Sequence, residues 1–256
     1  MIPSSNKKSS SRKMFEIDDM HKIIFDDFRN IKLKEKASLI FTDPPFGIGF
    51  KSNHQTYNRK PDTLSYKEIN KRDYPDFIRD LTKWSYEALT DSGSMWLVSG
   101  WNNLRTVLDA IEESGFKQIN HCIWKYQFGV YTKRRFTTSH YHLLLLAKNK
   151  KDYIFNKPEH YAEDVWFIKR RYHRGQETAG NELPDELVEK CIETSSNKKD
   201  LVVDPCLGSG TTMKVCLKTG RRCLGIEINP ALNARIKNKC LMYINKKDNI
   251  RNNTRK

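Results

Sequence analysis

The sequence predicts an α/β protein built on a mostly parallel sheet with helices on both faces. Three observations carry this. Short apolar runs alternate with amphipathic stretches along most of the chain. The runs "LVVD" and "LLLLA" are continuously apolar rather than alternating, as strands buried on both faces require. At 256 residues the chain suits one well-buried domain.

The elements follow in order. "MIPSSNKKSSSRK" (1–13) is polar and basic, without the apolar core of a secretory signal, and reads as a disordered arm. Met14–Ile17 is a strand, and Asp19–Phe28 a helix. Ser38–Thr42 is a buried strand, and the Asn- and Lys-rich stretch 51–73 a mobile loop. Phe77, Ile78, Leu81, Trp84 and Ala88 recur at helical spacing within Tyr74–Leu89. Gly93–Gly100 is a strand between turn residues. Asn103–Ser114 is a helix stopped by Gly115. Ile119–Tyr126 and His142–Lys148 are further strands. Residues 151–180 break the rhythm with aromatics and positive charge. Pro184 opens a helix to Thr194. Leu201–Pro205 and Arg222–Glu227 are strands around a helix at Thr211–Thr219. From Lys237 a helix fades into a basic tail, 241–256.

Composition narrows the partners. Lys and Arg number 46 against 31 Asp and Glu, a net charge of +15, which favours a polyanion such as nucleic acid over an anionic membrane. No apolar stretch is long enough to span a bilayer. Cysteines 122, 191, 206, 216, 223 and 240 show neither C-x-x-C spacing nor paired histidines. They read as reduced thiols in the cytoplasm, with no metal site.

Two segments carry chemistry. In "FTDPPFGIGF" a buried strand runs into Asp43, Pro44, Pro45 and Phe46. The prolines end the ladder and stiffen an elbow bearing a carboxylate and a ring, while the glycines give the following loop freedom. Alone, Asp-Pro-Pro also reads as a strand end with a β-turn. In "DLVVDPCLGSGTT" a strand ends at Asp204, and Gly208-Ser209-Gly210 turns into a helix at Thr211, a geometry that brings backbone amides to a ligand. A P-loop requires Lys where Ser209–Thr211 has none, and a dinucleotide fingerprint requires a small residue where Met213 stands. Glu227, about 20 residues after Gly208, has the spacing of a carboxylate that binds ribose hydroxyls, leaving a nucleoside without pyrophosphate.

Together these segments resemble the amino-methyltransferases that use S-adenosylmethionine. "DPPF" is similar to the family's catalytic D-P-P-Y, and "DPCLGSGTT" to its cofactor motif D-P-F-x-G-S-G-T-T. The catalytic motif comes first, as in the permuted β group of DNA methyltransferases. "GSMWLVSG", "IWKYQFGVYTKRRFTTSHYHLLLLAK", "DVWFI" and "LPDELVEKCIETSSNKKDLVVDP" extend the likeness. The chain departs from the family at Phe46 (Tyr), Cys206 (Phe), Tyr141 (Glu) and "TAGNELP" (H-P-T-Q-K-P).

The resemblance implies one methyltransferase domain over residues 14–240, with a seven-stranded sheet containing one reversed strand and a short target-recognition segment at 151–180. It implies methyl transfer from S-adenosylmethionine to the N6 amine of an adenine flipped out of double-stranded DNA. Asp43 and the Pro44 carbonyl accept from the amine, Pro45 stiffens the elbow and Phe46 stacks on the base. Asp204, Pro205, Cys206, Gly208, Ser209, Gly210 and Thr211 line the cofactor, with Glu227 at its ribose, Asn229 beyond it and Asp19 at its adenine. Asp19 also suits a helix N-cap and Asn229 a turn. Lys133, Arg134, Arg135, His140, Lys169, Arg170, Arg171 and Arg174 are the nucleic-acid candidates. Members of the group are often homodimers. N4-cytosine methylation, RNA adenine methylation and a non-catalytic DNA-recognition subunit are the rival readings. Cytosine enzymes of this type usually carry Ser where Asp43 stands.

Overall fold

The computed structural model describes residues 13–48, 69–127, 129, 131–170 and 182–253. The strands are β1 (Lys13–Asp18), β2 (His21–Phe25), β3 (Ala37–Thr42), β4 (Leu89–Ser99), β5 (Lys117–Lys125), β6 (His140–Ala147), β7 (Val165–Phe167), β8 (Leu201–Asp204) and β9 (Arg222–Glu227). The helices are α1 (Tyr74–Ala88), α2 (Leu104–Ser114), α3 (Asp185–Ser195), α4 (Thr211–Thr219) and α5 (Asn233–Asn253). The nine strands among the described residues join one sheet, ordered β1-β2-β9-β8-β3-β4-β6-β5-β7.

The expected seven strands with one reversal are corrected to nine with two. β6 runs antiparallel to both its neighbours, and β1 runs antiparallel to β2. The seven central strands from β2 to β5 match the expected count. β1 and β7 add one strand at each edge.

Burial alternates residue by residue through the central strands. Leu39, Phe41, Trp96, Val98, Leu143, Leu145 and Val202 pack with Leu187, Val188, Met213, Cys216 and Ile236, on the face covered by α3, α4 and α5. Ile40, Met95, Leu97, Leu144, Leu146 and Val203 pack with Ile78, Leu81, Val107 and Ile111, under α1 and α2. Continuous apolar runs are what such doubly covered strands need.

Three local expectations change. The helix expected over Asp19–Phe28 is instead β2, a parallel partner of β9 from His21↔Cys223 to Phe25↔Glu227. His21 fixes the start: its ring is 2.6 Å from the Asp18 carboxylate through Nδ1 and 2.9 Å from the Arg221 carbonyl through Nε2. The helix from Lys237, expected to fade into a basic tail over 241–256, continues as α5 to Asn253. The arm expected over 1–13 gives way at Lys13, the first residue of β1. Most of the loop expected at 51–73 lies outside the described residues.

Candidate active site

Strands β2, β9, β8, β3 and β4 run parallel, so their C-terminal ends open along one edge of the sheet. Open α/β sheets bind ligands at that edge. Both chemistry-bearing segments meet there, because β3 and β8 are direct neighbours.

The elbow after β3 is pinned on two sides. Asn103, just before α2, donates from Nδ2 to the carbonyls of Phe46 (2.6 Å) and Gly47 (3.3 Å). Gly47 is buried at φ +64°, and a Cβ there would lie 2.4 Å from Tyr74 Cγ. This glycine allows a close approach to α1, where freedom of the following loop was expected. The Phe46 ring lies 5.4 Å from Tyr141, which continues the aromatic surface to Tyr126 and Trp124 at 5.7 Å each. The Arg170 guanidinium covers this surface, 4.1 Å from the Tyr126 ring and 5.0 Å from Tyr141.

Asp43 is half-buried at the head of the elbow. Burial pushes its carboxyl up to about 7, the nearby Asp204 adds to the rise, and Arg170 opposes it.

The loop after β8 is held by its own side chains. Asp204 is buried; it accepts from Thr212 Oγ1 at 2.6 Å and from the Cys206 amide at 3.0 Å. Desolvation raises it to about 6 against these hydrogen bonds. Its carboxylate therefore shapes the loop. Gly208 and Gly210 have φ of +54° and +85°, and a Cβ on Gly210 would lie 2.8 Å from Ile236 of α5. No side chain caps α4, so its first amides are available to an anionic group. Pro205 is buried; Cys206 is half-buried, its thiol pushed well up by desolvation. Ser209 and Thr211 accept from Lys239 Nζ at 2.8 and 3.3 Å. Lys239 also pairs with Glu182 at 3.0 Å, tying α5 to the segment before α3.

Glu227 accepts from the Gly208 amide (Oε2, 2.8 Å) and the Asn229 amide (Oε1, 2.8 Å), with burial raising its carboxyl. Each oxygen keeps acceptor capacity for a ligand hydroxyl. Asn229 Oδ1 accepts from the Ala231 amide at 3.1 Å, the turn role foreseen as its alternative.

Asp19 is not at this site. It lies in the β1–β2 turn at the opposite edge, where the Cys223 amide donates to the Met20 carbonyl. Because 21–25 is a strand, the chain returns to the site edge only at Asp26, whose amide donates to the Glu227 carbonyl at 3.1 Å. Lys133, Arg134, Arg135 and Lys169 are exposed. His140 is half-buried, its ring 5.2 Å from His142. Arg171 and Arg174 lie outside the described residues. Asp26, Asn103, Glu182 and Lys239 escaped the sequence reading. "GWNN" after a strand was the one local cue to Asn103, while the others act across long sequence separations.

Left-handed glycines, uncapped amides and a ribose-spaced carboxylate fit a nucleoside-bearing ligand, and the fold together with the family match below makes the class that of S-adenosylmethionine-dependent methyltransferases. A solved M1.HpyAVI–SAM complex shares the fold, with a TM-score of 0.63 at 22% identity over 86% of this chain and 100% of that one. So does the cytosine-N4-specific PvuII DNA methyltransferase, with a TM-score of 0.65 at 19% identity over 88% and 92%. Residues 37–238 match the DNA methylase family of N6/N4 methyltransferases, and the chain belongs to that family. Similar proteins include the type II methyltransferase M.HpaI of Haemophilus parainfluenzae, 26% identical over 77% of this chain and 65% of that protein. The DNA adenine methyltransferase YhdJ of Escherichia coli K12 is 27% identical over 76% of this chain and 73% of its own length. The protein is thus an S-adenosylmethionine-dependent DNA methyltransferase.

Proposed function

We propose that this protein methylates the N6 amine of adenine at a specific site in double-stranded DNA. The observation that carries the reading is Asp43, a half-buried carboxylate on a proline-stiffened elbow next to the cofactor loop. An exocyclic amine is a weak nucleophile because its lone pair is delocalised into the ring. Asp43 and the Pro44 carbonyl accept hydrogen bonds from the two amine protons and localise that lone pair, in preorganised positions. Asn103 keeps the elbow from recoiling, and Phe46 offers a stacking face to the flipped base. As the N–C bond forms the amine becomes acidic, and Asp43 stands where it can take the proton. S-adenosylmethionine, when bound, supplies an electrophilic methyl group on a sulfonium. Glu227 receives its ribose hydroxyls, the amides opening α4 its carboxylate, and Asp26, in place of Asp19, its adenine amine.

The order of the segments, catalytic before cofactor, supports the permuted β-group arrangement and with it a homodimer, checked by light scattering. Residues 14–240 form the methyltransferase unit, 151–180 contribute target recognition, and the exposed cations bind phosphate in the cytoplasm.

The test is transfer of labelled methyl to duplex DNA, single-stranded DNA and RNA by wild type and Asp43→Ala, with products identified as nucleosides. N6-methyladenine in DNA, absent with the variant, supports the reading. Methylcytosine, or label confined to RNA, overturns it.

A further inference from the structure

The segment joining β5 to β6 leaves the same edge of the sheet as the catalytic elbow. Its stem is closed: the Tyr126 amide donates to the Ser139 carbonyl at 2.9 Å, and Tyr126 Oη to the Thr138 carbonyl at 3.4 Å. Gly129 lies so close to the opposite arm that a Cβ would meet the Thr138 carbonyl oxygen at 1.9 Å, so only glycine lets the two arms touch. Thr132 Oγ1 donates to the Arg135 carbonyl and closes the tip.

That tip presents Lys133, Arg134 and Arg135, all exposed, and next to them Phe136, which is 100% exposed; Tyr131 on the other arm is 79% exposed. A fully exposed Phe contributes nothing to the core, so its ring is free to meet a partner. The neighbouring guanidiniums and ammonium suit phosphate, and an aromatic ring set among them is placed to meet the stacked bases. Tyr141, on the incoming strand, packs against Phe46, so the hairpin is rooted in the wall of the catalytic elbow. Phe136 stands five positions before Tyr141, a reach of at most about 17 Å of extended chain, on the scale of the ~12 Å major groove.

We infer that Phe136 is the wedge of this enzyme: its ring enters the base stack beside the target adenine and fills the gap as that base swings out toward Phe46. The inference rests on the proposed methylation of a flipped adenine. Lys133, Arg134 and Arg135 hold the flanking phosphates and fix how deep the hairpin enters. An aromatic wedge replaces stacking that the departing base gives up, which lowers the cost of the flipped state.

The experiment compares wild type, Phe136→Ala and Phe136→Trp on two duplexes carrying the site that wild-type product mapping identifies. In one, the target adenine is paired with thymine; in the other it faces an abasic position and swings out freely. On the paired duplex Phe136→Ala is expected to lose at least tenfold in kcat/KM. It should recover to within about threefold of wild type on the abasic duplex, and Phe136→Trp should keep most activity on both. With 2-aminopurine in place of the target, wild type brightens the probe on binding and Phe136→Ala does not. S-adenosylmethionine affinity and Tm stay unchanged, as a side chain free of the core requires. Equal rates for Phe136→Ala and wild type on the paired duplex overturn the wedge. So does an equal loss on both duplexes, which marks a plain contact. Wild type that methylates no adenine in DNA refutes the parent reading instead.

Discussion

Replacing Asp43 by Asn should abolish methyl transfer and stabilise the fold. The Asp43 carboxyl titrates near 7 in the folded protein, against 3.8 for an ordinary Asp. Between those values the native state binds the proton and the unfolded chain does not, so stability falls as pH rises from about 4 to about 7. The ceiling on this cost at pH 8 is about 4 kcal/mol, from a shift of roughly three pH units at 1.36 kcal/mol each. At pH 5 only about one unit of the same interval has been crossed, and the cost is about 1.6 kcal/mol. Asn has nearly the same shape and no charge, so Asp43→Asn removes the pH-dependent part. Because Asp43 is only half-buried, water relieves some of the cost, and a gain of about 1–3 kcal/mol at pH 8 is expected. For a chain of this size that is a rise in Tm of roughly 3–8 °C, shrinking by half or more at pH 5. Thermal melts of both proteins at pH 5 and pH 8 read this directly. Asp204 and Glu227 titrate in both proteins and largely cancel in the comparison. A Tm difference that is the same at both pH values, or an Asn variant less stable at pH 8, refutes the electrostatic account of the elbow.

The same titration predicts catalysis. If Asp43 must be ionised to accept from the amine, kcat/KM should rise about tenfold from pH 6 to pH 8, and a flat profile contradicts that. Asn103→Ala removes the 2.6 Å bond to the Phe46 carbonyl and should lower kcat about tenfold while leaving S-adenosylmethionine affinity intact, as read by single-turnover kinetics and calorimetry. DNA affinity should fall steeply between low and physiological salt, and each of Lys133→Ala, Arg134→Ala and Arg135→Ala should reduce the log–log slope by about one; unchanged slopes remove these residues from the phosphate interface.

Much of the site is legible in sequence because its backbone geometry is chemically marked. Pro44 and Pro45 can only end β3, and Gly208 and Gly210 announce positive φ where β8 turns into α4. Buried strands show as unbroken apolar runs for the same reason. The 19–28 stretch fails differently. Ile23, Ile24 and Phe25 fit a short helix as well as a strand, and the decision is made by β9, some 200 residues further along. That single misreading put the expected adenine contact at Asp19, which stands at the end of β2 away from the site edge. Asn103, Lys239 and Glu182 are ordinary polar residues locally. Their work lies in contacts to Phe46, Ser209 and Arg235 across 30 to 57 residues, which no local pattern encodes.

The placement of charge explains how one chain handles both a polyanion and a neutral base. The protein carries +15 overall, yet Asp26, Asp43, Asp204 and Glu227 all stand at the C-terminal edge of five adjacent strands. A phosphate approaching that edge would meet carboxylates and be turned away, whereas the exposed Lys133, Arg134 and Arg135, the proposed phosphate contacts, carry the opposite charge. On the proposed reading the duplex backbone is therefore held outside, and a base enters only by leaving the stack, presenting N–H donors to the carboxylates. The same cluster favours a cationic donor over an anionic nucleotide. Burial is the main cause that raises Asp43 and Asp204; repulsion from Asp204 adds to it at Asp43, and repulsion from Glu227 adds to it at Asp204. The charge of Asp204 thus contributes both to turning phosphate away and, on top of burial, to the elevated titration of Asp43. Removing the charge of Asp204 by Asp204→Asn should lower the pH midpoint of kcat/KM, since one repelling neighbour is gone; a midpoint that stays put would locate the cause in desolvation only.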